Sequence, residues 1–227
     1  WLKLFRCKAR KKHIFNKSVK VINITWNDSE SIKKACSNVD FIIHTAGMNR
    51  FDCEANPKAA IKFNVKSTMK LLKIAEKCGV SKFLFLSTVN VYTNHLRGIV
   101  DEKSSANSLH PYANSKHSGE KFIRSFCKKS KINGYILRVS NAIGSPINVN
   151  VNCWKLAAPE FCKQVVENKI ILLKTNGIQR KDFISIKSIC LTIKDMLLLQ
   201  ESQLKYDIYN LSSGKSITIL ELANLIQ

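Results

Sequence analysis

The stretch VDFIIHTAG, residues 39–47, decides the fold class of this chain. It is a short apolar run that ends at a glycine, which is typical of a strand covered on both faces. Two runs of the same kind follow it, KFLFLST at 82–88 and GYILRVS at 134–140. Residues 1–7 and 19–25 fit further strands. We therefore predict a sheet whose central strands are buried.

Amphipathic segments separate these strands. Residues 57–79 carry apolar side chains at helical spacing, and a glycine ends the pattern. Residues 112–127 fit a second long helix, and Asp28 or Ser29 could cap a short one. Strands that alternate with helices imply right-handed crossovers and a parallel sheet.

Composition limits the classes of protein that this chain can be. Its 227 residues are 45% apolar, enough for one sizeable core or a main domain with a smaller lobe. No apolar run reaches the roughly 18 residues that a membrane span needs, and no signal-peptide pattern appears. The eight cysteines show no Cys-x-x-Cys pair and no ligand spacing with histidine. We therefore expect reduced thiols, no disulfide framework and no metal site.

The net charge of +21 is large. Such a charge can attract nucleic acid, an anionic membrane or a phosphorylated small molecule. The alternative is biased composition, because lysine is spread along the whole chain. We find no basic run interleaved with aromatic residues and no nucleic-acid module, so we expect no specific nucleic-acid partner.

The segment HPYANSK places Tyr112 four residues before Lys116, on one face of a predicted helix. A nearby cation favours the phenolate, and lowering a tyrosine pKa from about 10 to about 7 needs about 4 kcal/mol from a close, partly buried cation. The alternative is a solvated pair worth about 0.2–0.5 kcal/mol. Thr88 ends a buried strand just upstream, so the three side chains can converge.

Small or polar residues lie at the ends of three of the predicted strands, at 44–47, 87–88 and 140–141. The carboxyl ends of parallel strands meet at the edge of the sheet where ligands bind in such folds. We therefore expect a ligand cleft at this edge.

Taken in order, these motifs make the chain resemble the extended short-chain dehydrogenase/reductases, in particular the NAD-dependent epimerase/dehydratase group that acts on nucleotide sugars. The matching segments are VDFIIHTAG, FNVKST, KFLFLSTVNVY, HPYANSK, ILRVSNAIGSP, IQRKDFISI and YNLSSG. The resemblance implies an α/β fold: a Rossmann-like doubly wound parallel sheet that lacks its first strand and glycine loop, with a smaller α/β substrate lobe.

The resemblance also implies two domains, each truncated at one end. Residues 1–140, rejoined by 182–200, would form the dinucleotide-binding domain. Residues 141–181 and 201–227 would form the smaller substrate-binding lobe. No Gly-x-x-Gly-x-x-Gly loop occurs in the chain, and we expect that pyrophosphate cradle to lie just before Trp1.

The family pattern assigns catalysis to Thr88, Tyr112 and Lys116. Thr88 would hold the substrate oxygen and share its proton, and Tyr112 would be the general base and acid. Lys116 would bind the nicotinamide ribose and lower the pKa of the tyrosine, helped by the positive charge of an oxidised nicotinamide. Without the resemblance, a solvated Tyr–Lys pair is the simpler interpretation.

The same pattern implies binding residues. Those for the cofactor are Arg6, Asn23, Ile24, Thr45, Ala46, Gly47, Asn64, Lys116 and Ser140. Those for the substrate are Thr88, Tyr112, Asn141, Asn152 and Lys181. Read from the residues alone, His44 is a packed strand-end histidine, Asn64 bridges backbone within its helix, and Asn141 ends a strand.

The resemblance implies NAD as the cofactor. Departures from the family pattern keep NADP as an alternative. Asn23 stands where the family usually has an aspartate, and Arg6 with the basic residues after it would suit a 2′-phosphate. Lys181 replaces a usual arginine and loses bidentate phosphate geometry.

The two residues immediately after Thr88 indicate the reaction. Sugar dehydratases of the family usually have an Asp-Glu pair there, whereas this chain has Val89 and Asn90. We therefore predict a nucleotide-sugar 4-epimerase that works through a 4-keto intermediate. The alternatives are a nucleotide-sugar 4-keto reductase, a non-catalytic dinucleotide-sensing protein and, last, a nucleic-acid binder driven by charge.

The resemblance carries three further expectations. Family members often form homodimers through the helices at 57–78 and 112–127. They are cytoplasmic, and many make precursors of polysaccharides. The identity of the sugar and of the nucleotide is not readable from these residues.

Overall fold

The structure, a computed structural model, describes the backbone of residues 2–6 and all atoms of residues 19–92, 98–146 and 150–227. The chain divides into two compact units. The first unit contains Trp1–Arg138 and Leu199–Asn210, and the second contains Val139–Leu198 and Leu211–Gln227. Among the described residues no helix is long and apolar enough to cross a membrane.

The division between the units lies close to the expected one but differs in the segment that returns. The boundary falls at residue 138, two residues before the expected 140. The segment that rejoins the first unit is 199–210, whereas we expected 182–200. The reason is that 186–198 is a helix belonging to the second unit, and the strand after it belongs to the sheet of the first.

The described residues contain nine strands and eight α-helices. The strands are β1 Leu2–Arg6, β2 Val19–Asn23, β3 Phe41–His44, β4 Lys82–Thr88, β5 Asn133–Val139, β6 Asn141–Ile143, β7 Arg180–Ser185, β8 Ile208–Leu211 and β9 Ser216–Thr218. The helices are α1 Ser29–Cys36, α2 Arg50–Ala55, α3 Pro57–Ala60, α4 Thr68–Lys77, α5 Pro111–Cys127, α6 Ala157–Asn168, α7 Ile186–Leu198 and α8 Ile219–Ile226.

The sheet of the first unit confirms the predicted α/β class. Strands β1 and β2 pair in parallel with Leu2 opposite Val19, and β3 pairs in parallel with β4. The larger sheet has the order β3-β4-β5-β8. The pieces β2-β1 and β3-β4-β5 correspond to positions 3-2 and 4-5-6 of the doubly wound order. No strand of the described residues occupies position 1, which is the strand expected to carry the glycine loop.

The core of the first unit follows from the apolar strands predicted by sequence. Strand β4 is buried along almost its whole length, which fits a central position between β3 and β5. Helices α1, α4 and α5 cover the sheet with apolar side chains. The fully buried members include Ile32, Leu72, Phe83, Ile123 and Ile136.

The helix predicted for 57–79 forms, with an unexpected middle. Its central part, Ile61–Ser67, is π-helical and lies between α3 and α4. The helix ends as predicted at Gly79, which has φ +79°. The Gly79 N–H donates to Glu76 O at 3.0 Å and the Val80 N–H donates to Ala75 O at 3.1 Å, which is a Schellman motif.

The second unit contains a small mixed sheet of order β6-β7-β9. Strands β6 and β7 are parallel, and β7 and β9 are antiparallel. Helices α6 and α8 contact each other around Phe161 and Leu222. The run IILLK at 170–174 has the apolar composition of a strand, but it is an irregular segment whose Ile171 and Leu173 pack on the α6–α8 cluster.

Truncating a core side chain of α4 tests this description of the first unit. Leu72 is fully buried, so Leu72→Ala should lower the free energy of unfolding by about 2–5 kcal/mol. Leu109 is 90% exposed, so Leu109→Ala is the matched control and should change it by less than about 0.5 kcal/mol. Urea unfolding followed by circular dichroism measures both. Equal stabilities of the two variants would contradict the assigned core.

Candidate active site

Thr88 and Tyr112 meet in the first unit. Thr88 is the last residue of β4 and is buried, and its hydroxyl is close enough to the Tyr112 phenol to influence the pKa of that phenol. The backbone N–H of Asn90 donates to Thr88 Oγ1 at 3.2 Å. The hydroxyl thus accepts one hydrogen bond and keeps its own hydrogen available for donation.

Helix α5 begins immediately before the tyrosine and fixes its position. Pro111 occupies the first helical turn, where its missing N–H is not needed. The Tyr112 N–H donates to His110 Nδ1 at 3.1 Å, so the histidine caps the helix. His110 is therefore a mostly buried cap of this helix.

The pKa of Tyr112 is shifted in the direction opposite to the one expected. Burial raises it above its usual value, and the hydrogen bond from Thr88 opposes that rise. The thiol of Cys53 raises the pKa further, and Arg50 lowers it. The expected depression by Lys116 is thus not seen in the protein by itself. It stays a prediction for the protein with a bound dinucleotide.

Lys116 is a buried cation one helical turn after the tyrosine. Its side chain is only 5% exposed, and its Nζ lies 4.3 Å from the centre of the Phe85 ring. Burial lowers the pKa of Lys116 to about 8, while the nearby Glu120 carboxylate opposes that fall. The solvated Tyr–Lys pair is therefore wrong as an interpretation, because the ammonium is held inside the protein.

The loop after β3 approaches this ammonium closely. A Cβ atom on Gly47 would lie 3.7 Å from Lys116 Nζ and 3.3 Å from Asn64 Oδ1, so a side chain there would crowd both. Thr45 and Gly47 are exposed and Ala46 is half-buried. The loop thus presents backbone, without a side chain at Gly47, beside a buried cation. That arrangement fits a ligand that passes along residues 45–47.

Asn64 braces the site from the π-helical segment. Its Oδ1 accepts from the Met48 N–H at 2.7 Å, and its Nδ2 donates to Ser115 Oγ at 2.9 Å. The side chain is almost fully buried. It therefore ties the loop after β3 to α5, a tertiary form of the bridging role that we considered. π-Helical turns often occur at functional sites because they redirect one side chain.

Sequence reasoning missed Cys53. This residue of α2 is fully buried, and it lies 3.5 Å from Asn64 Nδ2. Its thiol affects the pKa of both Tyr112 and Lys116. No motif surrounds it in the sequence, so only the tertiary fold could reveal it.

His44 is a structural residue, as the residues alone suggested. Its ring stacks on Phe85, and its Nε2 lies 2.8 Å from Thr68 Oγ1. Because Thr68 Oγ1 donates to Asn64 O at 2.8 Å, the histidine must be the donor to Thr68. Burial, with the charge of Lys116, lowers the pKa of His44 to about 3, so the ring is neutral.

Ser140 and Asn141 belong to the second unit, where both bond to Asp182. Ser140 Oγ donates to Asp182 Oδ1 at 2.6 Å, and Asn141 Nδ2 donates to Asp182 O at 2.8 Å. The carboxylate also accepts from Ser213 Oγ at 2.6 Å. These hydroxyl donors lower the pKa of Asp182 despite its partial burial. Asp182 and Ser213 were not singled out by sequence.

A pocket of about 240 Å³ lies within the second unit. Lysines 155, 174 and 181 line it together with apolar side chains that include Phe161 and Leu173. Lys181, one of the expected substrate residues, is therefore at a basic pocket. Asn152, the other, is exposed in a turn.

The remaining expected cofactor residues lie at the carboxyl ends of the first two strands. Arg6 and Asn23 are the last residues of β1 and β2 and are directly opposite each other in the register. Asn23 is exposed and Ile24 is buried. The side chain of Arg6 lies outside the described residues, so its role stays a prediction.

A Rossmann-like sheet with a tyrosine and a buried lysine at its carboxyl edge defines the class of protein. The model of the NAD dependent epimerase/dehydratase family matches residues 4–212. The chain therefore belongs to the NAD-dependent epimerase/dehydratase family, as its sequence motifs indicated.

Similar proteins include both reaction types of this family. The dTDP-D-glucose 4,6-dehydratase of Mus musculus is 28% identical over 194 residues, which are 83% of this chain and 52% of that protein. The putative UDP-glucose 4-epimerase of Methanocaldococcus jannaschii is 26% identical over 219 residues, 95% of this chain and 70% of that protein. The chain thus spans about half the length of the mouse relative.

Solved structures share the fold. The UDP-glucuronic acid 4-epimerase of Bacillus cereus, in complex with UDP-glucuronic acid and NAD, superposes with a TM-score of 0.80 at 22% identity. The match covers 93% of this chain and 65% of the epimerase. At this identity the likeness establishes the architecture only.

The neutral, buried His44 gives a testable pH dependence. Its pKa in the folded protein is about 3, below the unfolded value of 6.5. Between these two pH values His44 is protonated in the unfolded chain but not in the folded chain. The free energy of unfolding therefore falls as the pH drops below 6.5. Relative to His44→Gln, the wild type should lose up to about 1.4 kcal/mol more per pH unit between pH 6 and pH 4.

Urea unfolding at several pH values measures this difference, because all other titrations cancel between the two proteins. His117→Gln is the matched control, since His117 is only partly buried. A wild type and a His44→Gln variant with parallel pH dependences would contradict the neutral, buried state of His44.

Proposed function

We propose that the protein is an NAD(P)-dependent nucleotide-sugar epimerase that acts at C4 through a 4-keto intermediate. The observation that supports it is the Tyr112 phenol, which interacts with the buried Thr88 hydroxyl and belongs to a residue one helical turn before the buried cation of Lys116. A general base needs such partners near the proton that it moves.

The proton would move through the hydroxyl groups of this chain. The Asn90 N–H fixes Thr88 Oγ1, so the Thr88 hydrogen can stabilise a phenolate on Tyr112. That phenolate would take the proton from the C4 hydroxyl as the C4–O bond becomes a carbonyl. Tyr112 would return the same proton to the oxygen when the 4-keto sugar is reduced from its other face. The net result is inversion at C4 with no proton gained or lost.

The residues around Gly47 fit a dinucleotide. The exposed backbone of 45–47 would lie along it, and the Lys116 ammonium would hold the hydroxyls of its ribose. When bound, NAD supplies the acceptor and donor of the hydride and a positive charge beside the phenol. Asn64 would keep the loop and α5 at the right separation through its bonds to Met48 and Ser115. The proposal includes NADP as the alternative cofactor in the same site.

The basic pocket of the second unit suits the nucleotide diphosphate. Its lysines provide positive charge for phosphate, and its apolar wall provides a surface for a base. The similar proteins act on UDP- and dTDP-sugars, as their names state. We therefore propose a nucleotide sugar of one of these two kinds as the substrate.

Epimerisation is favoured over dehydration by the residues after Thr88. Val89 and Asn90 form a short 3₁₀ turn there. Neither side chain has a proton to exchange near neutral pH, whereas water loss needs an added acid and base. A 4-keto reductase needs the same Thr–Tyr–Lys set and is distinguished by its requirement for added reductant.

Location and assembly complete the proposal. We propose a cytoplasmic homodimer formed through the helices at 57–78 and 112–127, acting in the synthesis of polysaccharide precursors. Light scattering of the longest form of the protein that its gene encodes measures the oligomeric state. A monomer at micromolar concentration would contradict the dimer.

The central test replaces the proposed base. Tyr112→Phe should leave the fold intact and reduce turnover at least about 100-fold, because general-base catalysis contributes about 10²–10⁴. Tyr206→Phe, at a ring that is 67% exposed, is the control and should retain activity. The assay incubates the longest gene-encoded form with UDP- and dTDP-sugars and NAD and follows the sugars by nuclear magnetic resonance.

The cofactor requirement separates the candidate reactions in the same assay. Interconversion of two 4-epimers without added reductant supports the epimerase. Product that forms only with added NADH or NADPH would replace it by the reductase, and a 4-keto-6-deoxy product would replace it by a dehydratase. Normal turnover of Tyr112→Phe would overturn the assignment of the base.

Binding of NAD by the 227-residue chain is expected to be weak. No Gly-x-x-Gly-x-x-Gly loop is present in it, so the pyrophosphate lacks a cradle of backbone N–H groups. Isothermal titration calorimetry should give a dissociation constant at least about 100-fold higher than for a form that includes such a loop, by loss of several hydrogen bonds. Tight one-to-one binding by the 227-residue chain would contradict this expectation.

A further inference from the structure

A buried ion pair lies directly behind the proposed catalytic residues. Glu120 is 1% exposed and Arg138 is 3% exposed. Arg138 Nη2 donates to Glu120 Oε2 at 2.7 Å, and Arg138 Nε lies 3.2 Å from both carboxylate oxygens. The guanidinium therefore clamps the carboxylate with more than one hydrogen bond.

Other side chains, from two strands and the segment after β4, complete the clamp. The Ser87 hydroxyl donates to Glu120 Oε1. The Arg138 Nη1 donates at 2.9 Å to the Tyr92 hydroxyl, which donates in turn to Asn210 Oδ1 at 2.7 Å. The Glu120 carboxylate is thus held in one place by groups on β4 and β5. The arginine is held by Tyr92 in the segment after β4, and Tyr92 is held in turn by Asn210 on β8.

Stability alone does not account for this pair. Removing two charges from water is costly, and a well-packed apolar pair of similar volume is often as stable or more stable. A role other than stability is therefore needed to explain a carboxylate that is buried here. Glu120 is one helical turn after Lys116 on α5 and both side chains are buried, so the carboxylate can act on the charge of the lysine.

We propose that Glu120 is a positioning residue for the proposed reaction: its clamped carboxylate, buried one helical turn after Lys116, keeps the buried ammonium of Lys116 charged. The inference rests on the proposed function for its catalytic meaning. The electrostatic part concerns only the residues of this chain. Ser87, which donates to the Glu120 carboxylate, directly precedes Thr88 in the chain. The same carboxylate is therefore connected to Lys116 through α5 and to Thr88 through Ser87.

The charge relations around Lys116 support this role. Burial pulls the pKa of Lys116 down to about 8, and Glu120 is the first of the groups that oppose the fall. Without the Glu120 charge, the lysine would be neutral over more of the physiological range. A neutral amine can neither stabilise a phenolate nor hold a ribose as a cation.

Other titratable groups face this pair and must be followed as well. Around Lys116 they are Tyr112 on α5, Cys53 on α2 and His44 on β3. Around Glu120 they are Arg138 on β5, His117 on α5 and Lys116 itself. Removing the Glu120 charge changes none of these side chains, so a shift in the titration of Lys116 can be assigned to the carboxylate.

The test compares Glu120→Gln with two matched variants. Glu76→Gln removes one negative charge from a half-buried site on α4 and is the control for net charge. Glu120→Asp keeps the carboxylate and should restore most of the lost behaviour. The first readout is the pH dependence of acetylation of Lys116 by acetic anhydride, measured by mass spectrometry on the folded 227-residue chain. The second is the pH profile of kcat in the longest gene-encoded form.

In Glu120→Gln the reactivity of Lys116 should rise at a pH lower by about one unit, a tenfold change in the fraction of free amine at a given pH. The alkaline limb of kcat should move in the same direction. The loss of activity should therefore be about fivefold at pH 8 but less than about threefold at pH 6. A purely structural role would lower activity by the same factor at every pH.

Unchanged titration of Lys116 in Glu120→Gln would overturn the inference, as would a loss of activity that is independent of pH. If Glu120→Gln does not fold, the double variant Glu120→Gln/Arg138→Gln removes both buried charges and is judged by the same two outcomes. If Lys116 titrates as expected but no wild-type form interconverts sugars, the electrostatic inference stands and the proposed function fails.

Discussion

The burial of one ammonium group, that of Lys116, constrains the rest of the site. An ammonium that leaves water must be compensated, and here the face of the Phe85 ring and the charge of Glu120 provide that compensation. The loop after β3 can approach the ammonium only because residue 47 has no side chain. Burial, together with the same ammonium charge, keeps the neighbouring His44 neutral.

Close contact between helix α5 and the π-helical segment makes this burial possible. A Cβ on Gly119 would lie 3.6 Å from Asn64 O and 3.3 Å from the Phe85 ring, so a larger residue would push the helix outward. Ser115, on the same helix, accepts the Asn64 amide. Small residues on α5 and a turn that redirects one asparagine thus bring Tyr112 and Lys116 to the sheet edge. The geometry depends on backbone approach as much as on the reactive side chains.

The two units carry different chemistry. The first holds Thr88 and Lys116, which are buried, and Tyr112, which is half-buried. The second holds a basic pocket and a carboxylate, Asp182, whose oxygens are occupied by hydroxyl groups of its own unit. Ser140 and Asn141 therefore have a structural contact that the family pattern did not suggest. A role of their exposed atoms toward a ligand stays a prediction.

Local patterns in the sequence determined most of the elements and pointed to Tyr112 and Lys116 as the proposed reactive pair. Apolar runs predicted β3, β4 and β5, a proline marked the start of α5, and Gly79 marked the end of α4, because each depends on neighbours within a few residues. The spacing of Tyr112 and Lys116 also follows from the chain alone. Only the tertiary structure decided the rest: the contact of Cys53, the clamp on Glu120, the π-helical turn at Asn64 and the upward direction of the Tyr112 pKa. Each of these depends on burial and on contacts between residues far apart in the chain, and no local spacing encodes them.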